Sequence, residues 1–165
     1  AAAKHFPNER FVVACAPSVP KEFYAASIGN APVEVVSGRT YEVLRQAKAA
    51  LVTSGTATLE TALFGVPEVV CYSGSAVNVW LARRLVNVKF ISLVNLIMDR
   101  EVVPELIQHD MNERRLRSEL EKLLHDTLYR ERMRNDLMSL REKLGGPGAS
   151  TRAAMIMWKS LSERS

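Results

Sequence analysis

Residues 52–60, "VTSGTATLE", pass from an apolar β-type run through three small residues into a helical pattern. Ser54, Gly55 and Thr56 at that junction offer two hydroxyls and the backbone N–H groups of a helix start. Unpaired donors and the helix dipole favour an anion there, such as a pyrophosphate. Glu60 falls about one turn into the helix, and its carboxylate can accept hydrogen bonds from two vicinal ribose hydroxyls. An ordinary βα turn with a surface glutamate uses the same residue types, and the stretch alone leaves both readings open. Similar polar sets follow the other candidate strands: Ser37, Gly38, Arg39 and Thr40, then Ser73, Gly74 and Ser75, then Ser92 to Asn95. Absences narrow the chemistry further. There is no Walker loop, no G-x-G-x-x-G, no G-x-S-x-G and no H-E-x-x-H. His5, His109 and His125 are isolated, and Cys15 and Cys71 lack histidine companions at ligand spacing. Neither a metal site, nor a bound cofactor, nor a nucleophile–base triad is expected.

The elements that must position these residues alternate. "RFVVACA" (10–16), "PVEVV" (32–36), "AALVT" (49–53), "PEVVCY" (67–72) and "KFIS" (89–92) read as short strands. Between them, 20–29, 40–48, 57–64 and 76–86 read as helices, with Gly65 at the C′ position of the third and Pro67 blocking its continuation. Such alternation indicates parallel βα units and an open α/β sheet. Right-handed crossovers then place the loops after residues 36, 53, 72 and 92 along one edge, at the carboxyl ends of the strands. From about residue 112 the strands stop. Residues 112–126 carry leucines at 116, 120, 123 and 124 with Asn112 as the cap, and 129–144 set Met133, Leu137, Leu140 and Leu144 on one face. "GGPGAS" (145–150) is a break before a last helix over 150–161, capped by Ser150 or Thr151. The expected division is an α/β core over 1–111 and carboxyl-terminal helices over 112–165, packed on the same domain.

The 165 residues suffice for one domain with a sizeable core, and 47% hydrophobic with 24% charged residues is an ordinary globular balance. Lysine plus arginine outnumber acids 22 to 18, a net charge of +4. So mild an excess suits an anionic small ligand or an acidic membrane surface and does not point to nucleic acid. Cys15 and Cys71 sit in apolar runs and are expected to be buried free thiols in a reducing compartment. No apolar run approaches the roughly 20 residues that span a bilayer, and no signal-peptide pattern is present. Trp80, Leu81 and Leu85 with Arg83 and Arg84 can rest on an anionic surface; packing on the sheet with a basic outer face is the expectation. "AAAKHF" reads as the tail of a helix, so the chain is expected to be an excised piece.

Four stretches in order, "VTSGTATLETALFGVPEVVCY", "WLARRLVNVKFISLVNLI", "REVVPELIQ" and "LGGPGASTRAA", closely resemble the carboxyl-terminal half of the lipid-A-disaccharide synthase family over roughly residues 6 to 160. These are inverting glycosyltransferases of GT-B architecture. The resemblance implies an open, parallel, Rossmann-like sheet with extra carboxyl-terminal helices. It implies transfer of 2,3-diacylglucosamine from UDP to lipid X, giving UDP and a β-1,6-linked disaccharide 1-phosphate at the inner face of the inner membrane. It makes Ser54, Gly55 and Thr56 diphosphate contacts and Glu60 a ribose contact, and places Ser37 to Arg39 near the uracil or phosphates. Asn95, in "SLVNL", is expected to face the donor sugar or phosphate, and Arg100, Glu101 and Gln108 match a further family motif. Val94 stands where the family has proline, which predicts a less rigid loop. The family's G-S-R phosphate-binding turn and its acceptor domain belong upstream of "AAAKHF". The resemblance thus implies a donor-binding fragment without the catalytic base, inactive alone, peripheral to the membrane, and in a protein that can form a homodimer. Two readings from other classes stand beside it. One is a non-catalytic α/β binding or signalling domain, although no strand here ends in the paired aspartates of a receiver. The other is a UDP-sugar enzyme of related architecture, such as an epimerase, whose catalytic set is not visible.

Overall fold

In the computed structural model, which describes residues 2–74, 89–146 and 148–162, the described chain mixes strands and helices as far as residue 107 and is helical beyond it. After a short helix α1 (Ala2–His5) come β1 (Phe11–Cys15), α2 (Lys21–Ile28), β2 (Val33–Ser37), α3 (Thr40–Gln46), β3 (Ala50–Thr53), α4 (Thr56–Leu63) and β4 (Glu68–Tyr72). Then follow α5 (Leu93–Met98), β5 (Glu105–Ile107), α6 (Glu113–His125), α7 (Thr127–Leu144) and α8 (Ala149–Ser162). Every strand pairing is parallel, as βα alternation requires. The α/β class read from the sequence is therefore the class observed.

The strands fall into two open sheets rather than one. β1 pairs β2 from Phe11↔Val33 to Cys15↔Ser37, while β3, β4 and β5 form the second sheet in that order. No ladder joins β1 to β3 among the described residues. An ion pair does connect the approaches to those two strands, with Lys48 Nζ 2.9 Å from the Glu9 carboxylate.

The strand expected at 89–92 is not one. Ser92 instead caps α5, its hydroxyl accepting from the Asn95 N–H at 3.2 Å. The N–H groups of Ile91 and Ser92, which a strand would offer to a ladder, go to the Glu105 carboxylate at 2.9 Å each. The last strand is β5, fourteen residues later in the chain than Ile91, pairing Val70↔Glu105 through Tyr72↔Ile107. The helix expected over 76–86, with its Trp80 and paired arginines, lies outside the described residues.

The core sits on the three-stranded sheet. Val69 and Val70 of β4 are fully buried between Ala62 of α4, Val94 of α5, Leu123 of α6 and Met133, Leu137 and Leu140 of α7. The 133-137-140 spacing puts one stripe of α7 inward, and burying each such leucine contributes about 2 kcal/mol. Leu144, one turn on, is exposed. Caps define both helices: Asn112 accepts from the Arg115 N–H and Asp126 from the Tyr129 N–H, each at 3.0 Å. Gly65, at φ +70°, ends α4 as expected. In α8 every described side chain is exposed, Trp158 at 75% among them.

One buried group runs against this packing. Glu68, at the start of β4, is 0% exposed, and neither carboxyl oxygen has a hydrogen-bond partner among the described residues. Burial pushes its pKa up from 4.5 to about 9. The folded state therefore holds a proton that the unfolded chain releases above the ordinary carboxylate range, so stability falls as pH rises between about 4.5 and about 9. Glu68→Gln removes that proton release. Its melting temperature should match the parent's most closely near pH 4 and rise progressively above it towards pH 9, read by thermal unfolding across that range. A difference between the two proteins that does not change with pH would show that the carboxyl is hydrated or paired in solution.

Candidate functional site

At the end of β3 the chain turns through Ser54 and Gly55 into α4. The Ser54 N–H reaches the Cys71 carbonyl of the neighbouring strand at 3.4 Å, which seats the turn at the carboxyl edge of the sheet. Gly55 has φ +150° and ψ −163°, a conformation that essentially only glycine adopts. Among the described residues no side chain caps the α4 N-terminus, and Gly55, Thr56 and Ala57 are exposed. The residues that carry the leading N–H groups of α4 are thus open to solvent. Further along, the Thr58 and Thr61 hydroxyls turn inward and donate to the Gly55 and Ala57 carbonyls at 2.8 Å each. Glu60 is exposed one turn past Thr56. An anion can approach this helix start, and a hydroxylated group beyond it can meet Glu60.

Beside the turn lies a connected polar cluster. The Ser54 hydroxyl donates to the Ile91 carbonyl at 3.1 Å, and the Glu105 carboxylate takes the N–H groups of Ile91 and Ser92. Asn95, expected to face the donor, is instead 0% exposed with both ends of its amide engaged by the chain. Its Oδ1 accepts from the Val102 and Val103 N–H groups at 2.7 and 3.0 Å. Its Nδ2 donates to the Val103 carbonyl and to Glu105, both at 2.8 Å. Two backbone donors on one side fix which end is oxygen. Val94 is a buried core residue in the first turn of α5, so side-chain bonding and packing hold this segment without a proline. Glu105 belongs to a quoted motif but was not singled out from the sequence; an acid inside a short apolar run was the available signal.

The remaining expected residues divide. Gln108, at φ +53°, donates to the Gly74 carbonyl at 2.8 Å and ties the exit of β5 to the exit of β4. Arg100 is spent on Asp136 of α7 in a two-pronged pair at 2.9 and 2.8 Å, and neighbouring Glu101 is exposed. Ser37, the last residue of β2, and Arg39 just after it are exposed on the other sheet, where the Arg39 Nε donates to Glu42 at 2.8 Å. The structure therefore gathers Ser54 to Thr56, the 91–95 segment and Gln108 on one sheet edge. It leaves Arg100 in an ion pair with the helical region. Among the described residues no cluster of three His, Cys, Asp or Glu side chains can hold a metal ion. Cys15 is a buried and Cys71 a half-buried free thiol, and burial pushes the Cys71 pKa up to about 11, which makes it a poor nucleophile. Surface hollows flank α6, one lined by Lys122, His125 and Asp126 and another by His5 and Arg117, away from the strand ends.

Residues 2–159 match the family model described as lipid-A-disaccharide synthetase. The chain is 42% identical over 151 residues to a lipid-A-disaccharide synthase of Anaeromyxobacter dehalogenans, covering 90% of this chain and 39% of that protein. A lipid-A-disaccharide synthase of Syntrophus aciditrophicus is 44% identical over 124 residues, 75% of this chain and 32% of its own. One from Geobacter metallireducens is 35% identical over 161 residues, 96% of this chain and 42% of its own. The chain thus spans well under half the length of these relatives.

Removing the Asn95 amide strands two buried backbone N–H groups. Asn95→Ala should lower the unfolding free energy by about 3 kcal/mol in urea titration. A variant as stable as the parent would show that the Val102 and Val103 N–H groups find other partners once the amide is gone.

Proposed function

The chain belongs to the lipid-A-disaccharide synthetase family, and from that premise we propose that it is the donor-binding part of a glycosyltransferase. The uncapped start of α4, opened by Gly55 at the sheet edge, is the observation that supports this reading most directly. In it, the donor is UDP-2,3-diacylglucosamine. The diphosphate lies against the leading N–H groups of α4 and the Thr56 hydroxyl, where fixed donors meet the charge that builds on departing UDP. Glu60 takes the ribose hydroxyls, and Ser37 and Arg39 approach the nucleotide from the neighbouring sheet.

The whole protein, in this proposal, transfers the diacylglucosamine to lipid X with inversion, by a single displacement in which the acceptor hydroxyl attacks the anomeric carbon and UDP leaves. A hydroxyl nucleophile needs a base and an oriented acceptor. Both are assigned to the part of the relatives that this chain does not span. Acylated substrates on both sides place the reaction at a membrane surface, to which the protein is proposed to bind peripherally at the inner face of the inner membrane. The 165 residues alone should then make no disaccharide at a useful rate.

Calorimetry on the full-length protein separates the roles. UDP should bind and ADP should not. Thr56→Ala should weaken UDP about fivefold or more, equivalent to about 1 kcal/mol for a lost charge-assisted contact. Glu60→Gln should weaken UDP while leaving inorganic pyrophosphate nearly unchanged. If both variants bound UDP like the parent, "TSGTATLE" would be an ordinary βα turn.

A further inference from the structure

We infer that Glu105 is a positioning residue for the nucleotide edge, acting through the Ile91 peptide to hold the Ser54 hydroxyl turned inward; this rests on the donor-site reading above. The half-buried carboxylate accepts three N–H donors: Ile91 on Oε2, and Ser92 and the Asn95 side chain on Oε1, at 2.9, 2.9 and 2.8 Å. A carboxylate is acceptor-only when ionised and has room for all three. The Ile91 peptide is then held at both ends, its N–H on Glu105 and its carbonyl under the Ser54 hydroxyl at 3.1 Å.

A carbonyl can only accept, so the single Ser54 hydroxyl proton is committed to Ile91. Its N–H is committed to Cys71. Ser54 therefore has no donor left for a diphosphate and can meet a ligand only as an acceptor. The donors for phosphate oxygens are those of Gly55, Thr56 and Ala57, whose aim depends on where Ser54 is anchored. Glutamine at 105 would turn an N–H₂ group towards one of the backbone donors, releasing the Ile91 peptide and with it the anchor. Glu105 touches no ligand; its effect passes along Ile91 and Ser54.

The test uses the full-length protein with two readouts, UDP affinity and amide hydrogen exchange. Glu105→Gln should speed exchange at residues 54–57 and 91–92 and weaken UDP about tenfold. Ser54→Ala, which removes only a hydroxyl from a half-exposed site, should speed exchange at 54–57 and weaken UDP by a similar factor. The double variant should be no worse than the poorer single, because both cut one path, whereas Glu105→Gln with Glu60→Gln, which acts at the ribose and not through the turn, should multiply. Glu105→Asp, which keeps the charge, should recover part of the loss. Multiplying effects for Glu105 and Ser54, or unchanged exchange at 54–57 in both single variants, would overturn the inference. Failure of the parent to bind UDP would overturn the donor-site reading instead, and the exchange readout would still decide the role of Glu105. If Glu105→Gln does not fold, Ser54→Ala decides alone: exchange at 54–57 equal to the parent's would refute the anchor.

Discussion

Three N–H groups converge on the Glu105 carboxylate, and through them the chain between Ile91 and the last strand keeps its path. Residues 91–92 have no ladder, so their backbone donors must find side chains or water. Glu105 supplies the acceptor, and Asn95 does the same for Val102 and Val103 in the opposite direction. Each bond to a charged group contributes about 1.5–3 kcal/mol net. Their larger effect is geometric, because they drive Val94, Val102 and Val103 into the core against β4. The same cluster ends at the Ile91 carbonyl, which receives the Ser54 hydroxyl. Core packing and the shape of the carboxyl edge of the sheet thus share one polar junction.

The parts of the fold governed by local pattern were legible in the sequence. Short apolar, β-branched runs bounded by turn residues marked β1 to β4. The capped leucine stripes marked α6 and α7, with Asn112 acting as read and Asp126 capping a helix that starts two residues ahead of the expected 129. β5 was not legible, because Glu105, Leu106 and Ile107 after a proline do not look like a strand, whereas "KFIS" does. What decides between them is tertiary: β4 offers its free edge to 105–107, while Glu105 takes the donors of 91–92. The break into two sheets was equally invisible, since pairing partners are not written into strand composition.

The site divided along the same line. That the Ser-Gly-Thr turn stands at a strand exit and opens a helix followed from alternation alone. Asn95 did not, because an asparagine amide serves backbone groups and ligands with the same atoms, and its position in a motif does not say which. Arg100 is a similar case: its guanidinium matches a phosphate or a carboxylate equally well, and Asp136 of α7 is the carboxylate that it meets.

Gly55 shows why residue type and residue role come apart even where the motif is read correctly. Small residues at an anion site suggest that a side chain would occupy the ligand's space. A Cβ at Gly55 would meet no atom of the described residues within 4 Å, so room among them is not what selects glycine. The backbone is. At φ +150° and ψ −163° a side chain would force the peptide into another region. Moving it would swing the Thr56 and Ala57 N–H groups that open α4. Any substitution at residue 55 therefore changes the aim of the donors before it can obstruct a ligand. Loss of anion binding in such a variant would report the turn's conformation rather than a steric clash with the anion. Thr56 and Glu60, in ordinary helical conformation with exposed side chains, are the positions where chemistry can be altered while the turn is kept.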